Sequence, residues 1–384
     1  MSAVLEEHLR YLGDKNKLAL YASALARCIQ PNDIVLDLGC GTGVLGMLAC
    51  RAGARRVYAV DSGGIINSAK SVAIDNGYAD RVVHVRGRSL DIVLPEPATL
   101  IVSDQLGPMG FEAGVLQFSA DAMHRLATPN ARLLPSSVTT MLAPVQHAGH
   151  GSRVAAWSPP YGDLTFERFR LHAANSTYPM ASDFGQLLAA GVAIWQLPLA
   201  DPSAKWSRLD GEGACTIDRV GQLNGLLGWF IAEMGEDLSL TNAPNAQDRV
   251  NRACLYLPLD PPIDVCEGDN IVTHLHAVPG TGLLTWRATV SRADATIARW
   301  SHSTLLGNFA LIDDMASGRP SARPSLSPLG RAKVTLLASC DCGLDIRALA
   351  AVVAAQHPSL FPAASDAVRF VRQTLLDLRS DVRW

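Results

Sequence analysis

Val35-Leu-Asp37-Leu-Gly39-Cys-Gly41-Thr-Gly43-Val-Leu-Gly46 is the stretch on which the reading of the fold turns. A β-branched run, Asp33 to Leu38, leads into it, and a helix-like segment, Val44 to Ala54, leads out. A glycine turn between a strand and a helix brings backbone amides close to a ligand, as glycine accepts positive φ and carries no Cβ. Gly39 and Gly41 are the positions that need this freedom. From the strand the spacing is Gly-x-Gly-x-Gly, closing on Gly43. Counted from Gly41 the run also fits the dinucleotide pattern Gly-x-Gly-x-x-Gly, so the glycines alone leave a nicotinamide or flavin open. Counted from Gly39 that pattern fails, because Val44 stands at its third glycine. Asp37 adds a polar group at the strand end, placed to meet a charged ligand. Asp61 closes the next strand, Val57-Tyr-Ala-Val-Asp61, where a carboxylate can accept both hydroxyls of a ribose. The competing interpretation is a packing turn in some other α/β protein.

Outward from the turn, apolar strands alternate with helices. Helical spacing covers Asn16–Ile29, Val44–Ala54 and Ile65–Asn76; strands are expected at Arg56–Val60, Val82–Arg86 and Leu100–Ser103. This is the pattern of an α/β Rossmann-like domain, a parallel sheet with both faces covered, over residues 1–135. From Ser136 the segments become short and turn-separated: Ser137–Leu142, Val192–Leu197, Asn251–Leu257, Asn270–His276 and Leu283–Val290. They predict an antiparallel β-barrel or sandwich over 136–315, with Pro159–Gly185 as an excursion from it. A Pro/Ser-rich linker over 316–325 and a small helical module over 326–384 complete the plan, with Ser327-Pro328 as an N-cap followed by proline.

Composition removes several function classes. The 384 residues allow two or three domains, and 48% hydrophobic with 18% charged residues rules out a disordered chain. Lys plus Arg is 33 and Asp plus Glu is 36, a net charge of −3, which argues against nucleic-acid binding by phosphate neutralisation. The start, Met1-Ser-Ala-Val-Leu-Glu-Glu-His8, has no secretory signal. The most apolar stretch, Leu187–Ala200, is broken by Gln196 and Pro198, short of the ~20 residues of a membrane span. A soluble, cytoplasmic protein with eight scattered reduced cysteines is expected. Cys340-Asp-Cys342 is the one close cysteine pair, and His274 with His276 share a strand face without a third ligand, so no metal site is expected. His124, on a helix near the turn after the fourth strand, reads as structural.

Ile34–Gly46 with Asp61 resembles the first two motifs of class I methyltransferases that use S-adenosyl-L-methionine. Asp14-Lys-Asn-Lys17 with the helix after it, Gly87-Arg-Ser-Leu-Asp-Ile-Val-Leu-Pro95, Ile101-Val-Ser-Asp104 and Leu133-Leu-Pro135 follow in the order of the protein arginine methyltransferase family. The resemblance covers residues ~5–310, specific over the first 145 and looser beyond. It implies S-adenosyl-L-methionine as cofactor, contacted by Asp37, Gly39, Gly41, Gly43, Asp61 and Ser62. Lys17 stands where the family has an arginine for the methionine carboxylate, and Ser89, Leu90 and Asp91 stand where the adenine is held. It also implies a homodimer made through a helical arm near 159–185.

The family's catalytic loop carries two glutamates nine positions apart; here Asp104 and Glu112 stand eight apart in Ser103-Asp-Gln-Leu-Gly-Pro-Met-Gly-Phe-Glu112. A pair is wanted because a guanidinium stays charged, and two carboxylates can hold it bidentately and favour proton loss as the new bond forms. An aspartate there also suits an imidazole or amine. The alternative for Glu112 is a solvated loop residue, with Asp104 alone facing the pocket. Two departures count against ordinary protein-arginine methylation. The family's Thr-His-Trp motif falls at Asp248-Arg249-Val250, and its amino-terminal helix with two tyrosines is expected to be missing or much shortened, leaving the site more open.

Residues 326–378 are weakly similar to PqqD-like winged-helix domains, which capture leader segments of ribosomally made peptides by adding a strand to a sheet edge. The expected function is N-methylation of an arginine guanidinium, in a peptide or as a free amino acid in biosynthesis. The first alternative is another nitrogen, such as a histidine imidazole, in a peptide natural product. From a different class comes a cofactor-binding scaffold that has lost catalysis. A nucleic-acid methyltransferase is disfavoured by the charge and by Ser103-Asp104-Gln-Leu106 in place of an Asn/Asp-Pro-Pro-aromatic motif.

Overall fold

The computed structural model describes residues 3–201, 206–235, 237–309, 321 and 323–378. The chain divides into two compact units, Met1–Phe309 and Ala310–Trp384. Of the expected linker over 316–325, residues 316–320 and 322 lie outside the described residues, as does 310–315, the end of the expected barrel.

The amino-terminal half of the first unit runs α1 (Ala3–Gly13), α2 (Lys15–Cys28), β1 (Ile34–Leu38), α3 (Val44–Arg51), β2 (Arg56–Asp61), α4 (Ile65–Asp75), β3 (Val82–Arg86), β4 (Ala98–Ser103), α5 (Val115–Arg125) and β5 (Ala127–Leu134). The five strands form one parallel sheet in the order β3-β2-β1-β4-β5. Every residue of β1 is buried, as are Leu100, Ile101 and Val102 of β4, because helices cover both faces and the strands need no polar side. The chain steps outward from β1 to β3 and then returns to the other side of β1 with β4. That reversal opens a crevice beyond the carboxyl ends of β1 and β4, the place where such sheets bind ligands. Gly39 follows β1 and Asp104 follows β4, so topology alone puts both at the crevice. Of the two outcomes expected for the amino-terminal helix, missing or much shortened, the structure has a short helix: α1 spans Ala3–Gly13, carries the one tyrosine Tyr11 and brings His8 to the glycine turn. Strand β5 escaped the sequence reading because Ala-Thr-Pro-Asn-Ala-Arg carries a proline and no alternation.

The second half continues with β6 (Ser137–Gln146), α6 (Ala148–Ala155), α7 (Arg168–Ala174), β7 (Tyr178–Met180), β8 (Gln186–Leu187), β9 (Val192–Pro198), β10 (Leu209–Thr216), β11 (Gly221–Glu233), β12 (Ser239–Thr241), β13 (Cys254–Val265), β14 (Asn270–Val278), β15 (Leu283–Arg292), β16 (Ala295–Ser303) and a one-turn α8 (Thr304–Gly307). They make two antiparallel sheets, β10-β14-β15-β16 and a larger one around β13-β11-β6, as the barrel expectation required. Trp286 and Phe230 are fully buried in the main core they help to fill, and the Trp286 indole donates to the Pro258 carbonyl at 2.7 Å. Strand β13 begins three residues later than expected and runs through Asp260-Pro-Pro262. The prolines are tolerated because the ladder with β11 slips between Leu223 and Gly225, leaving residues 259–262 outside the pairing. The excursion at Pro159–Gly185 carries α7 and β7, anchored by Arg170, whose guanidinium reaches both Asp260 oxygens at 2.9 Å. Tyr161, Leu164 and Leu171 of this excursion are exposed.

The second unit holds α9 (Pro328–Ser339), α10 (Ile346–Gln356) and α11 (Ala364–Asp377) around Leu336, Leu349, Val353 and Val371. Ser327 caps α9 through the Gly330 amide at 3.0 Å, and Asp345 caps α10 through the Ala348 amide at 2.8 Å. The described residues of this unit contain no strand, so the wing of a winged-helix domain is not among them.

Candidate active site

The glycine turn takes the conformation its composition asks for. Gly39, Gly41 and Gly43 all have positive φ, at 74°, 51° and 77°. A Cβ on Gly39 would strike the Gln105 amide nitrogen at 1.8 Å, and one on Gly41 would meet the His8 ring at 2.8 Å. The positive φ angles are what demand glycine here, and the missing Cβ atoms leave room for the side chains that approach the turn. Gly43 starts α3, packs toward Ala69 and His84, and does not line the crevice.

Asp37 departs from its expected role. It is 1% exposed, lines neither cavity at the crevice, and accepts the Gly46 amide at 2.8 Å, which ties the first turn of α3 to β1. Burial pushes its carboxyl up to about 7, against the pull of that amide. It supports the turn from behind and does not face a ligand.

Two cavities meet at the turn. One, of about 310 Å³, is bounded by Glu7, His8 and Tyr11 of α1, Lys17 of α2, the glycine turn and Asp104. The other, of about 350 Å³, is bounded by Ser62, Gly87, Arg88, Ser89 and Phe118. Gly39, Asp61 and Gln105 line both. Asp61 accepts the Gly41 amide at 2.9 Å through Oδ2 and the Gly63 amide at 2.7 Å through Oδ1. Each oxygen keeps lone-pair capacity toward the junction. Of the three residues expected at the adenine end, Ser89 lines its cavity and the other two do not. Leu90 is exposed, and Asp91 points to solvent beside Arg88 at 3.6 Å. The short 3-10 turn Ser89–Asp91 presents one of its three side chains inward.

Asp104 lies at the far end of the first cavity between two cations. Lys17 Nζ meets Oδ2 at 2.7 Å and Arg252 Nη2 meets Oδ1 at 3.0 Å. Lys17 also lies 4.3 Å from the centre of the Tyr11 ring. Arg252 donates further to the Leu106 carbonyl. None of the contacts of Arg252, Tyr11, His8 or Gln105 was anticipated from the sequence. Arg252 is 148 positions from Asp104 and carries no motif; Tyr11 and His8 sit on the helix expected to be missing or much shortened.

Glu112 is not paired with Asp104 across one cavity. Its carboxylate folds back into its own loop and takes the Met109 amide at 2.9 and 3.1 Å and the Phe111 amide at 3.0 Å. Gly107 must be glycine here, since a Cβ would lie 2.2 Å from Glu112 Oε2. Burial pushes the Glu112 carboxyl up to about 7 although these amides favour the ionised form. It lines a separate cavity of about 330 Å³ with Pro108, Phe111 and barrel residues Leu255 and Leu284. It is therefore neither the clamp's second arm nor a solvated residue. The loop itself is pinned to the barrel: Thr140 donates to the Met109 carbonyl at 2.8 Å and Asn242 to the Pro108 carbonyl at 2.8 Å.

Where the resemblance placed a Thr-His-Trp motif, Asp248-Arg249-Val250 docks on the start of α2 through backbone groups. Asn16 donates to the Arg249 carbonyl at 3.1 Å, and Asp14 accepts the Asn251 amide at 2.6 Å. Among the described residues no His/Cys/Asp/Glu group fit for a metal ion occurs, and all eight cysteines are unpaired. No described helix is long and apolar enough to cross a membrane.

The family model for ribosomal protein L11 methyltransferase (PrmA) matches residues 14–126. A probable protein arginine N-methyltransferase 6 of Arabidopsis thaliana is 33% identical over 158 residues, 40% of this chain and 36% of that protein. The match thus spans little more than a third of that relative's length. The Trypanosoma brucei PRMT1 enzyme–prozyme heterotetrameric complex with AdoHcy superimposes with a TM-score of 0.70 at 21% identity, covering 77% of this chain and 96% of that one. Protein arginine methyltransferase 10 of Arabidopsis thaliana gives 0.67 at 20% identity, covering 78% and 98%. The shared architecture is a Rossmann-like methyltransferase domain followed by an antiparallel β-barrel. In sequence over its first domain and in fold over its first unit, the chain is similar to the S-adenosylmethionine-dependent methyltransferases, and among them to the protein arginine methyltransferases.

Proposed function

We propose that this chain is an S-adenosyl-L-methionine-dependent N-methyltransferase. The observation that carries the proposal is the placement of Asp61 between two joined cavities, with Lys17 and Asp104 at one end and Ser62, Arg88 and Ser89 at the other. A nucleoside carrying an amino-acid tail fits that order of groups. Lys17 would hold the tail's carboxylate, Gly39 and Gly41 would admit the chain of the ligand, Asp61 would take the ribose hydroxyls, and Ser62 with Ser89 would flank the base. Gln105, which lies across Gly39 and lines both cavities, would swing aside for a ligand that spans them. When bound, the cofactor supplies a methyl group on a positively charged sulfur. Asp104 is the residue placed to orient an acceptor nitrogen.

The similarity to protein arginine N-methyltransferases supports a guanidinium acceptor, in a peptide or as a free amino acid. A second reading, another nitrogen such as a histidine imidazole, is favoured by Glu112 being tied into its loop and Asp104 already bearing two cations. The exposed Tyr161, Leu164 and Leu171 support a homodimer made through the excursion, and the reduced cysteines support a cytoplasmic setting. A role for the helical unit in binding a leader peptide rests on resemblance alone.

The test is incubation with S-adenosyl-L-methionine and a panel of free arginine, free histidine and peptides containing each, read by mass spectrometry, with cofactor binding measured calorimetrically. Transfer to any nitrogen that is lost in Asp104→Ala establishes the activity. Cofactor binding without transfer would identify a scaffold, and no cofactor binding would refute the proposal.

A further inference from the structure

We propose that Arg252 is the residue that sets the acceptor class: its guanidinium already occupies the carboxylate a substrate guanidinium would need, so the site takes a nitrogen without a fixed positive charge. This rests on the cofactor reading above. Asp104 carries a single negative charge, and each of its two oxygens already meets a cation. Lys17 holds Oδ2 at 2.7 Å and Arg252 holds Oδ1 at 3.0 Å. The side chains of Lys17 and Arg252 are only 6% and 10% exposed, so water does little to disperse their charge. An arginine acceptor would bring a third cation to one partly buried carboxylate.

Arg252 is built in. It bridges Asp104 to the Leu106 carbonyl and lies 6.0 Å from the Phe230 ring centre, and a guanidinium cannot release its charge by deprotonation. Lys17 is exchangeable by contrast, since a ligand carboxylate in the same cavity competes for its ammonium. Once Lys17 turns to such a carboxylate, Asp104 Oδ2 is freed while Oδ1 stays with Arg252. The acceptor then meets one uncommitted carboxylate oxygen where a bidentate guanidinium contact needs two. Glu112 does not make up the deficit, because its carboxylate folds back on the Met109 and Phe111 amides and lines a different cavity. Glu7 lines the same cavity from α1 and accepts the Tyr11 hydroxyl at 3.1 Å, but it is exposed and screened by solvent. Asp61, at the junction, is the group that the cofactor reading gives to the ribose hydroxyls.

A neutral imidazole suits what remains. Its unprotonated ring nitrogen attacks with its lone pair as the methyl–sulfur bond breaks and leaves its electrons on sulfur. The proton on the other ring nitrogen hydrogen-bonds Asp104 Oδ2 and departs to water, leaving a neutral methylated ring.

The test uses the full chain and two peptides identical except for one arginine or one histidine. Transfer rates are measured with S-adenosyl-L-methionine, and peptide binding by calorimetry with S-adenosylhomocysteine at saturation. The intact protein is expected to favour the histidine peptide at least tenfold in either readout. Arg252→Gln should shift the arginine-to-histidine ratio at least tenfold toward arginine, while Arg252→Lys, which keeps the charge, should leave it near the starting value. A wild-type preference for the arginine peptide, or a ratio unchanged in Arg252→Gln, overturns the proposal. Cofactor affinity in each variant, read without peptide, reports separately on the site: absence of binding in the unmodified protein refutes the cofactor reading itself.

Discussion

Replacing Asp61 with alanine tests the cofactor site at its junction. Each oxygen takes one backbone amide, at 2.9 and 2.7 Å, and retains capacity for one ribose hydroxyl. A hydrogen bond to a charged acceptor contributes about 1.5–3 kcal/mol, and water entering the space left by the carboxylate would recover part of two such bonds. The net loss is about 3 kcal/mol, which converts to roughly 150-fold weaker binding. Calorimetric titration with S-adenosylhomocysteine measures it, with circular dichroism confirming that the Gly39–Gly43 turn still folds. Asp91→Ala is the internal control: that side chain is exposed, paired only with Arg88 at 3.6 Å, and outside the cavity, so its affinity should change less than twofold. A loss below fivefold for Asp61→Ala, or equal losses for the two variants, would refute the assignment of Asp61 to the ligand.

Three further outcomes follow from buried groups and an exposed face. Asp37 is an acid whose folded pKa is raised from 3.8 to about 7, so it does not affect stability below pH 3.8 and penalises the fold increasingly up to about pH 7, by about 4 kcal/mol in full. In urea titrations from pH 4 to pH 8, stability should therefore fall less for Asp37→Asn than for the parent, and parallel curves would contradict the burial argument. Glu112→Ala leaves the Met109 and Phe111 amides without their acceptor and should cost about 1–3 kcal/mol of stability, with S-adenosylhomocysteine affinity kept within about threefold because Glu112 lines a different cavity. Leu164→Glu combined with Leu171→Glu should halve the mass found by light scattering if the excursion makes a dimer, and an unchanged mass would remove that role.

The first domain was the most legible. Ile34–Leu38 and Leu100–Val102 are apolar without interruption because both faces of their sheet are covered, save for Asp37, and that pattern survives in one dimension. The turn was legible for the same kind of reason: positive φ at positions 39 and 41 is a local backbone demand that glycine meets. Strands with a polar face or a proline were harder. β5 and β13 are strands because neighbours pair with the residues on either side of their prolines, and register slips leave Pro129, Pro261 and Pro262 outside the ladders. Asp37 shows the limit at the site: an acid beside a glycine turn looks like a ligand group, yet it points backward to the Gly46 amide.

The sequence by itself determined that a Rossmann-like domain with a glycine turn and an acid after the second strand begins this chain, and that antiparallel strands and then helices follow. Those features are written in spacing, because helix and strand periods and the glycine requirement act over a few residues. Only the tertiary structure decided what surrounds Asp104. Lys17 comes from 87 positions before it and Arg252 from 148 after it, meeting where β4 ends against a barrel loop. Glu112, eight positions away and expected to join it, is turned aside by amides of its own loop. Charge pairing depends on distance in space, which falls off steeply with separation and dielectric, and spacing along the chain carries no such information.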